Sequence, residues 1–180
     1  MLLNGNVDIL AAFLGHTFER DQVIDYSVSY VESGSRFMVR KGSGIASYRD
    51  LAGKTVAVLQ GTPYAANLLK VQPQAKILTF QEYPQAVVAL EQGKADALML
   101  EDIVLAILTR GKPSLEGVGD TRDFPRSFSG LGVRENDSKW RDFVNYTLAE
   151  MWENGAWKRV MSEHIPGWQP ASHFEIQNWK

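Results

Sequence analysis

With 180 residues, 44% of them hydrophobic and 22% charged, the chain can build one core or two small lobes. Its 19 Lys and Arg against 21 Asp and Glu leave a formal charge of −2 and no basic block, which argues against nucleic acid as a partner. The absence of cysteine excludes thiolate chemistry, Cys-rich zinc sites and disulfides, and His16, His164 and His173 show no metal-ligand spacing. No apolar run approaches the ~20 residues of a membrane span, and no basic-then-apolar leader opens the chain.

Leu2-Leu3-Asn4-Gly5 reads as a helix end with a left-handed stop, although no helix precedes it. That pattern leads us to expect a segment missing upstream; the other reading is a start codon before a frayed turn. Residues 7–14 read as an apolar strand, His16 to Asp21 as a polar loop or short helical turn, and 23–29 and 36–40 as further extended segments. Lys41-Gly42-Ser43-Gly44 is a flexible break suited to a lobe boundary, and 47–51 make a helical turn leading to Gly53.

The central stretch runs from Thr55 to Lys70. Its β-branched start reads as a strand covered on both faces, Gly61 permits a tight turn, Thr62 serves as N-cap, and Pro63 takes the first helical position. Strand, glycine turn and capped helix leave backbone N–H groups at the carboxyl edge of a sheet, a site for one carboxylate or phosphate. Neither G-x-x-x-x-G-K-[ST] nor G-x-G-x-x-G occurs, and any α/β protein carries turns of this kind.

Alternation continues with a strand over 75–80 and a helix over 84–92, opened by Pro84 and ended by Gly93. A strand over 95–100 and a helix over 102–110 follow, the helix stopped by Gly111 and Pro113. Such alternation predicts right-handed crossovers and a parallel sheet. Residues 115–118 form one more short strand, and 127–133, with Gly130 and Gly132, a strand returning to the first lobe. Asp137 or Ser138 caps an amphipathic helix whose stripe is Trp140, Phe143, Val144, Leu148, Met151 and Trp152. Gly155 ends it, and 156–164 make a second helix with Trp157, Val160 and Met161 inward. The tail from Ile165 is irregular, its Trp168, Phe174 and Trp179 read as packing aromatics. The expected organisation is a partial first lobe over 1–41, a complete α/β lobe over 42–126, and a return to the first lobe over 127–180. Two strands crossing between lobes make a hinge, with ligands in the cleft.

Gly5-Asn6-Val7-Asp8-Ile9, Thr17-Phe18-Glu19-Arg20 and Asp25-Tyr26-Ser27 resemble the G-x-x-D…T-x-E-R…D-[FY]-S run of the bacterial extracellular solute-binding proteins of the polar amino-acid type, family 3. Asp50-Leu51-Ala52-Gly53-Lys54-Thr55-Val56-Ala57-Val58, Gln60-Gly61-Thr62, Gly93-Lys94-Ala95-Asp96-Ala97 and Trp152-Glu153-Asn154-Gly155-Ala156-Trp157 extend the resemblance from Leu3 to about Gly167. The resemblance implies two α/β lobes closing on an amino acid, delivery to a membrane ABC transporter, a periplasmic or extracellular location, and no cofactor. Against the family pattern the chain lacks the first strand, first helix and following segment of lobe one, which carry the aromatic residues that sandwich the ligand side chain. Self-association through the uncovered sheet, or a swapped partner, would fill that gap.

Residue by residue, the resemblance makes Arg20 the carboxylate-binding arginine, a role suited to a guanidinium fork. The competing use is a surface salt bridge with Glu19, Asp21 or Asp25. Thr62 aligns with the lobe-two threonine whose turn, with Gly61, offers N–H groups to the same carboxylate; Pro63 removes one donor, and helix capping is the competing role. Glu101 falls where the family has an acid, usually Asp, for the ligand ammonium, against a role in capping the next helix; Asp102 reads as that helix's cap. Phe13, Leu14 and Gly15 occupy the lobe-one edge that offers a backbone carbonyl and a small hydroxyl residue, the hydroxyl being absent at Gly15. His16 is a loop residue or a proton-transfer group. Two other readings stand beside the transport clamp: an enzyme on the same fold, cyclohexadienyl-dehydratase-like or murein-lyase-like, with Glu101 as its acid, and a ligand-sensing receptor domain.

Overall fold

Left-handed glycines and polar caps punctuate the chain. Gly5 (φ 69°) ends a 3-10 turn over Leu2–Asn4, Ser47 and Asp50 form a capping box at Tyr48–Leu51, and the Asp137 carboxylate accepts the Trp140 N–H at the start of the longest helix. The computed structural model describes residues 1–165, so Trp168, Phe174 and Trp179 lie outside the described residues. In chain order its elements are β1 (Ile9–Gly15), α1 (Phe18–Asp21), β2 (Asp25–Tyr26), β3 (Val31–Ser33), β4 (Ser35–Arg40), β5 (Thr55–Leu59), α2 (Tyr64–Val71), β6 (Lys76–Phe80), α3 (Tyr83–Glu91), β7 (Ala97–Glu101), α4 (Asp102–Leu108), β8 (Leu115–Val118), β9 (Ser127–Val133), α5 (Ser138–Glu153) and α6 (Ala156–His164). None of the described helices is long and apolar enough to cross a membrane.

Contacts divide the chain into two units, one formed by Gly34–Arg126 and the other by Met1–Ser33 with the chain from Ser127 onward. The first crossing therefore falls at Ser33–Gly34, not at the glycine-rich break near Gly42. β4, assigned to the first lobe from sequence, pairs with β7 and β8, and this pairing carries it into the central unit.

The central unit holds a five-stranded sheet in the order β6-β5-β7-β4-β8. β5 runs parallel to β6 and β7, as the alternation predicts, whereas β4 is antiparallel to both its neighbours. Apolar residues cover both faces: Phe37, Val39, Val56, Leu68 and Met99 pack on one side, Met38, Ala57, Leu90, Leu98 and Leu100 on the other. Successive side chains of β4 and β7 thus enter different cores, which is why these strands read as unbroken hydrophobic runs.

In the other unit β1, β2 and β3 all pair antiparallel with β9. The β1 register shifts between Leu10 and Leu14, and Phe13 sits in the irregular stretch with a positive φ of 49°. α5 buries Val144 and Leu148 together with Asn145, whose Oδ1 accepts the Val28 N–H at 2.8 Å. Two stripe assignments are corrected. Phe143 is 60% exposed and stacks on Trp140 outside the core, because Asn145 takes the neighbouring inward position; Val160 is 40% exposed, while Met161 is buried.

Gly34, the first residue of the central unit, is held from several sides. Its carbonyl accepts the Asp102 N–H at 2.9 Å and its N–H donates to Asp102 Oδ1 at 3.4 Å. A Cβ here would lie 2.5 Å from Thr121 Cβ and 2.8 Å from the Thr121 carbonyl oxygen, with backbone as the obstacle. Gly34→Ala is therefore expected to destabilise the protein by about 1–3 kcal/mol, read as a lower urea midpoint at unchanged slope. An unaltered midpoint would show that this close approach is relaxed in solution.

Candidate functional site

In the unit built on β9, Arg20 lies in α1, a single helical turn opened by Thr17, whose Oγ1 accepts the Arg20 N–H at 3.3 Å. Its guanidinium is held by Nη1, which donates to the Gly15 carbonyl at 3.0 Å, close to the Tyr26 hydroxyl. Tyr26 in turn donates to the same Gly15 carbonyl at 3.3 Å, and burial pushes its phenol up while Arg20 pulls it down. The competing salt bridge does not form among the described residues: Asp25 pairs with Arg141 at 3.4 Å, and no ion pair includes Arg20. Gly15 and Arg20 are thus brought together, and the remaining guanidinium N–H donors are available to an anion.

A Cβ at Gly15 would lie 2.8 Å from Ser127 Oγ, so a hydroxyl from β9 occupies the space where a side chain at this position would begin. Phe13 is partly exposed; its backbone hydrogen-bonds the Tyr30 hydroxyl, and the two rings lie 6.2 Å apart. A cavity of about 220 Å³, lined by His16, Thr17, Phe18 and Asp21, opens beside the Arg20 turn. Tyr26 and Ser127 were not singled out from sequence as site residues; the signal for Tyr26 was its place in the Asp25-Tyr26-Ser27 run.

In the central unit, Gly61 has φ 74° and turns the chain out of β5. The expected Thr62 cap is corrected. α2 begins at Tyr64 with Pro63 in the cap position, and Thr62 Oγ1 donates back to the Leu59 carbonyl at 2.7 Å instead of facing the helix. The first intrahelical bond runs from Asn67 N–H to the Pro63 carbonyl, so the earlier N–H groups are those a helix start presents outward.

Glu101 ends β7 and stands at the cap position of α4, yet its side chain does not cap that helix. The adjacent Asp102 accepts the Ile103 N–H at 2.8 Å, and burial pushes its carboxyl up against the pull of its N–H donors. Burial first, and the Glu101 charge second, push the phenols of Tyr64 and Tyr83 up. Among the described residues no cluster of His, Asp and Glu could hold a metal ion.

The family model for bacterial extracellular solute-binding proteins, family 3, matches residues 1–167. The ABC transporter glutamine-binding protein of Bacillus subtilis is 29% identical over 92% of this chain and 60% of its own length. A glutamine-binding protein of Geobacillus stearothermophilus is 33% identical over 81% of this chain and 55% of its own. The chain therefore spans little more than half the length of these relatives. Among solved structures, an ancestral arginine-binding protein bound to glutamine superposes with a TM-score of 0.81 at 29% identity, covering 91% of this chain and 73% of that one. These likenesses establish the two-lobed α/β fold of periplasmic amino-acid-binding proteins, and these relatives are binding proteins. The chain belongs to the bacterial extracellular solute-binding proteins of family 3.

Proposed function

We propose that this chain is the amino-acid-binding component of an ABC import system outside the cytoplasmic membrane, with Arg20 and the Gly61–Thr62 turn taking the ligand α-carboxylate and Glu101 the α-ammonium. The observation that carries this reading is Arg20 itself. Its guanidinium is held by the Gly15 carbonyl close to Tyr26 and has no acidic partner among the described residues. A guanidinium held in place by neutral groups keeps its full charge for an incoming anion, and its planar fork fits a carboxylate. Phe13 and Gly15 line the same edge of β1. A carboxylate taken by Arg20 of one unit and by the Gly61–Thr62 turn of the other would couple binding to closure about the segments at Ser33–Gly34 and Arg126–Ser127. The names of the relatives support an amino acid as ligand and a transporter as partner.

The test is a thermal-shift screen of the twenty amino acids, followed by calorimetry. A ligand that binds only the folded protein adds about 2.7 kcal/mol at roughly 100 times its Kd, a rise of several degrees in Tm. One or a few amino acids are expected to give that rise. A flat response to all twenty at millimolar concentration would remove the reading for this chain.

A further inference from the structure

The chain enters the central unit at Gly34 and leaves it at Arg126. Both passages meet one junction inside that unit. The β4–β7 ladder reaches Ser35 opposite Glu101, and the next two residues, Gly34 and Asp102, exchange a pair of hydrogen bonds. The Asp102 N–H donates to the Gly34 carbonyl at 2.9 Å, and Asp102 Oδ1 accepts the Gly34 N–H at 3.4 Å. From the outgoing side the 3-10 turn over Thr121–Asp123 presses on the same glycine, with Thr121 Cβ only 2.5 Å from where a Cβ at Gly34 would stand. Just beyond that turn Phe124 is buried against Phe37 and Tyr48, which anchors the outgoing chain as well.

The two Gly34–Asp102 bonds do different things. The one between main-chain groups continues the ladder and belongs to the sheet. The other comes from a side chain, and the N–H that it holds lies in the plane of the Ser33–Gly34 peptide, by which the chain crosses between the units. On the far side of that peptide, Ser33 pairs with Ser127 in the ladder of the other unit, so one peptide separates two paired strands. Glycine has no Cβ to limit φ; without the carboxylate this peptide plane can swivel about the Gly34 N–Cα bond. The same Oδ1 accepts the Ile103 N–H at 2.8 Å, which seats the carboxylate at the start of α4. Asp102 is half-buried, and burial pushes its carboxyl up, while the Gly34 and Ile103 N–H groups and the charges of Arg36 on β4 and Arg126 at the exit pull it down. A helix cap alone needs no bond to a glycine on another strand.

We infer that Asp102 is a latch on the crossing peptide: its Oδ1 holds the Ser33–Gly34 plane to the central unit, so that this one side chain sets how freely the two units swing. The latch is independent of the amino-acid-binding reading above, and its tests use no ligand. The first follows amide protons of the wild-type protein with pH. Gly34 and Ile103 share one acceptor oxygen, so both signals are expected to move along a single titration curve whose midpoint lies above the ordinary Asp range, and Asp102→Asn should abolish that curve. A Gly34 signal that stays put while Ile103 titrates reduces Asp102 to a helix cap and overturns the latch.

The second test reads the swing itself. The chain has no cysteine, so spin labels introduced through Lys94→Cys and Lys139→Cys, both exposed and one in each unit, are site-specific. Asp102→Ala is expected to broaden the label-to-label distance distribution about twofold and to speed Gly34 amide exchange roughly 10-fold. Asp102→Asn keeps an Oδ1 that accepts both N–H groups, and should restore the wild-type width and exchange rate. A distribution unchanged in Asp102→Ala, or one equally broad in Asp102→Asn, overturns the latch. Where Asp102→Ala does not fold, the amide titration of the wild-type protein decides.

Discussion

Arg20→Ala is expected to lower amino-acid affinity by about 3–5 kcal/mol, two to four orders of magnitude, with little effect on folding. The asymmetry follows from where the guanidinium makes its bonds. To the fold it contributes one hydrogen bond, to the Gly15 carbonyl, at a half-buried position, and such a bond is worth about 1 kcal/mol net. After substitution Tyr26 can still donate to the Gly15 carbonyl, so no buried acceptor is abandoned. The proposed ligand carboxylate, in contrast, would enter a desolvated site and find its charged partner gone, which leaves a buried anion uncompensated. Arg20→Lys keeps the charge but loses both the planar fork and the reach to Gly15, and should recover only part of the affinity. Calorimetry with the amino acid identified by the thermal screen reads both variants, and the melting temperature reports the folding control. Undiminished affinity in Arg20→Ala would take this residue out of the site.

What the sequence discloses and what it hides follow from the kind of signal each feature leaves. Glycine and proline act locally, so the stop at Gly5, the turn at Gly61 and the helix start at Tyr83–Pro84 are readable without knowing any distant neighbour. Strand direction is not local. Residues 36–40 show the same apolar run whether their partners are parallel or antiparallel, and only pairing with β7 and β8 places β4 in the central unit. The Lys41–Gly44 break marked a turn within that unit because a flexible segment signals a bend, not the sheet to which the next strand belongs.

The misassignment of Thr62 has a similar origin. A threonine before proline fits a cap by type, but its hydroxyl had a nearer acceptor in the Leu59 carbonyl, closing the turn that Gly61 begins. Helical spacing placed Phe143 on the buried stripe, yet the inward position went to Asn145, a polar residue that satisfies the Val28 N–H. Arg20 was marked by its motif, whereas the groups that orient it, the Gly15 carbonyl and the Tyr26 hydroxyl, become visible only when two strands and a helical turn meet.

Phe37→Ala carries the largest expected cost to stability. Phe37 lies in β4 with Met99 and Val118 opposite it on the two flanking strands, and its side chain is fully buried. The ring meets Phe124 edge to face, with centroids 5.7 Å apart and planes at 73°, and Phe124 continues the contact to Tyr48 at 6.0 Å. A Cβ added at Gly119 would come within 3.3 Å of Phe37 Cδ2, so the glycine already yields space to this ring. Truncation to alanine removes the edge-to-face pair and leaves a cavity that the paired β-strands on either side cannot collapse to fill. Such substitutions cost about 3–5 kcal/mol, a fifth or more of the roughly 5–15 kcal/mol that holds a domain together. Phe143→Ala, at the exposed face of α5, should by comparison lie within about 0.5 kcal/mol of wild type apart from its stacking on Trp140. Urea denaturation separates the two variants without ambiguity. A loss below about 1 kcal/mol for Phe37→Ala would mean that the core of the central unit is loosely packed around this ring.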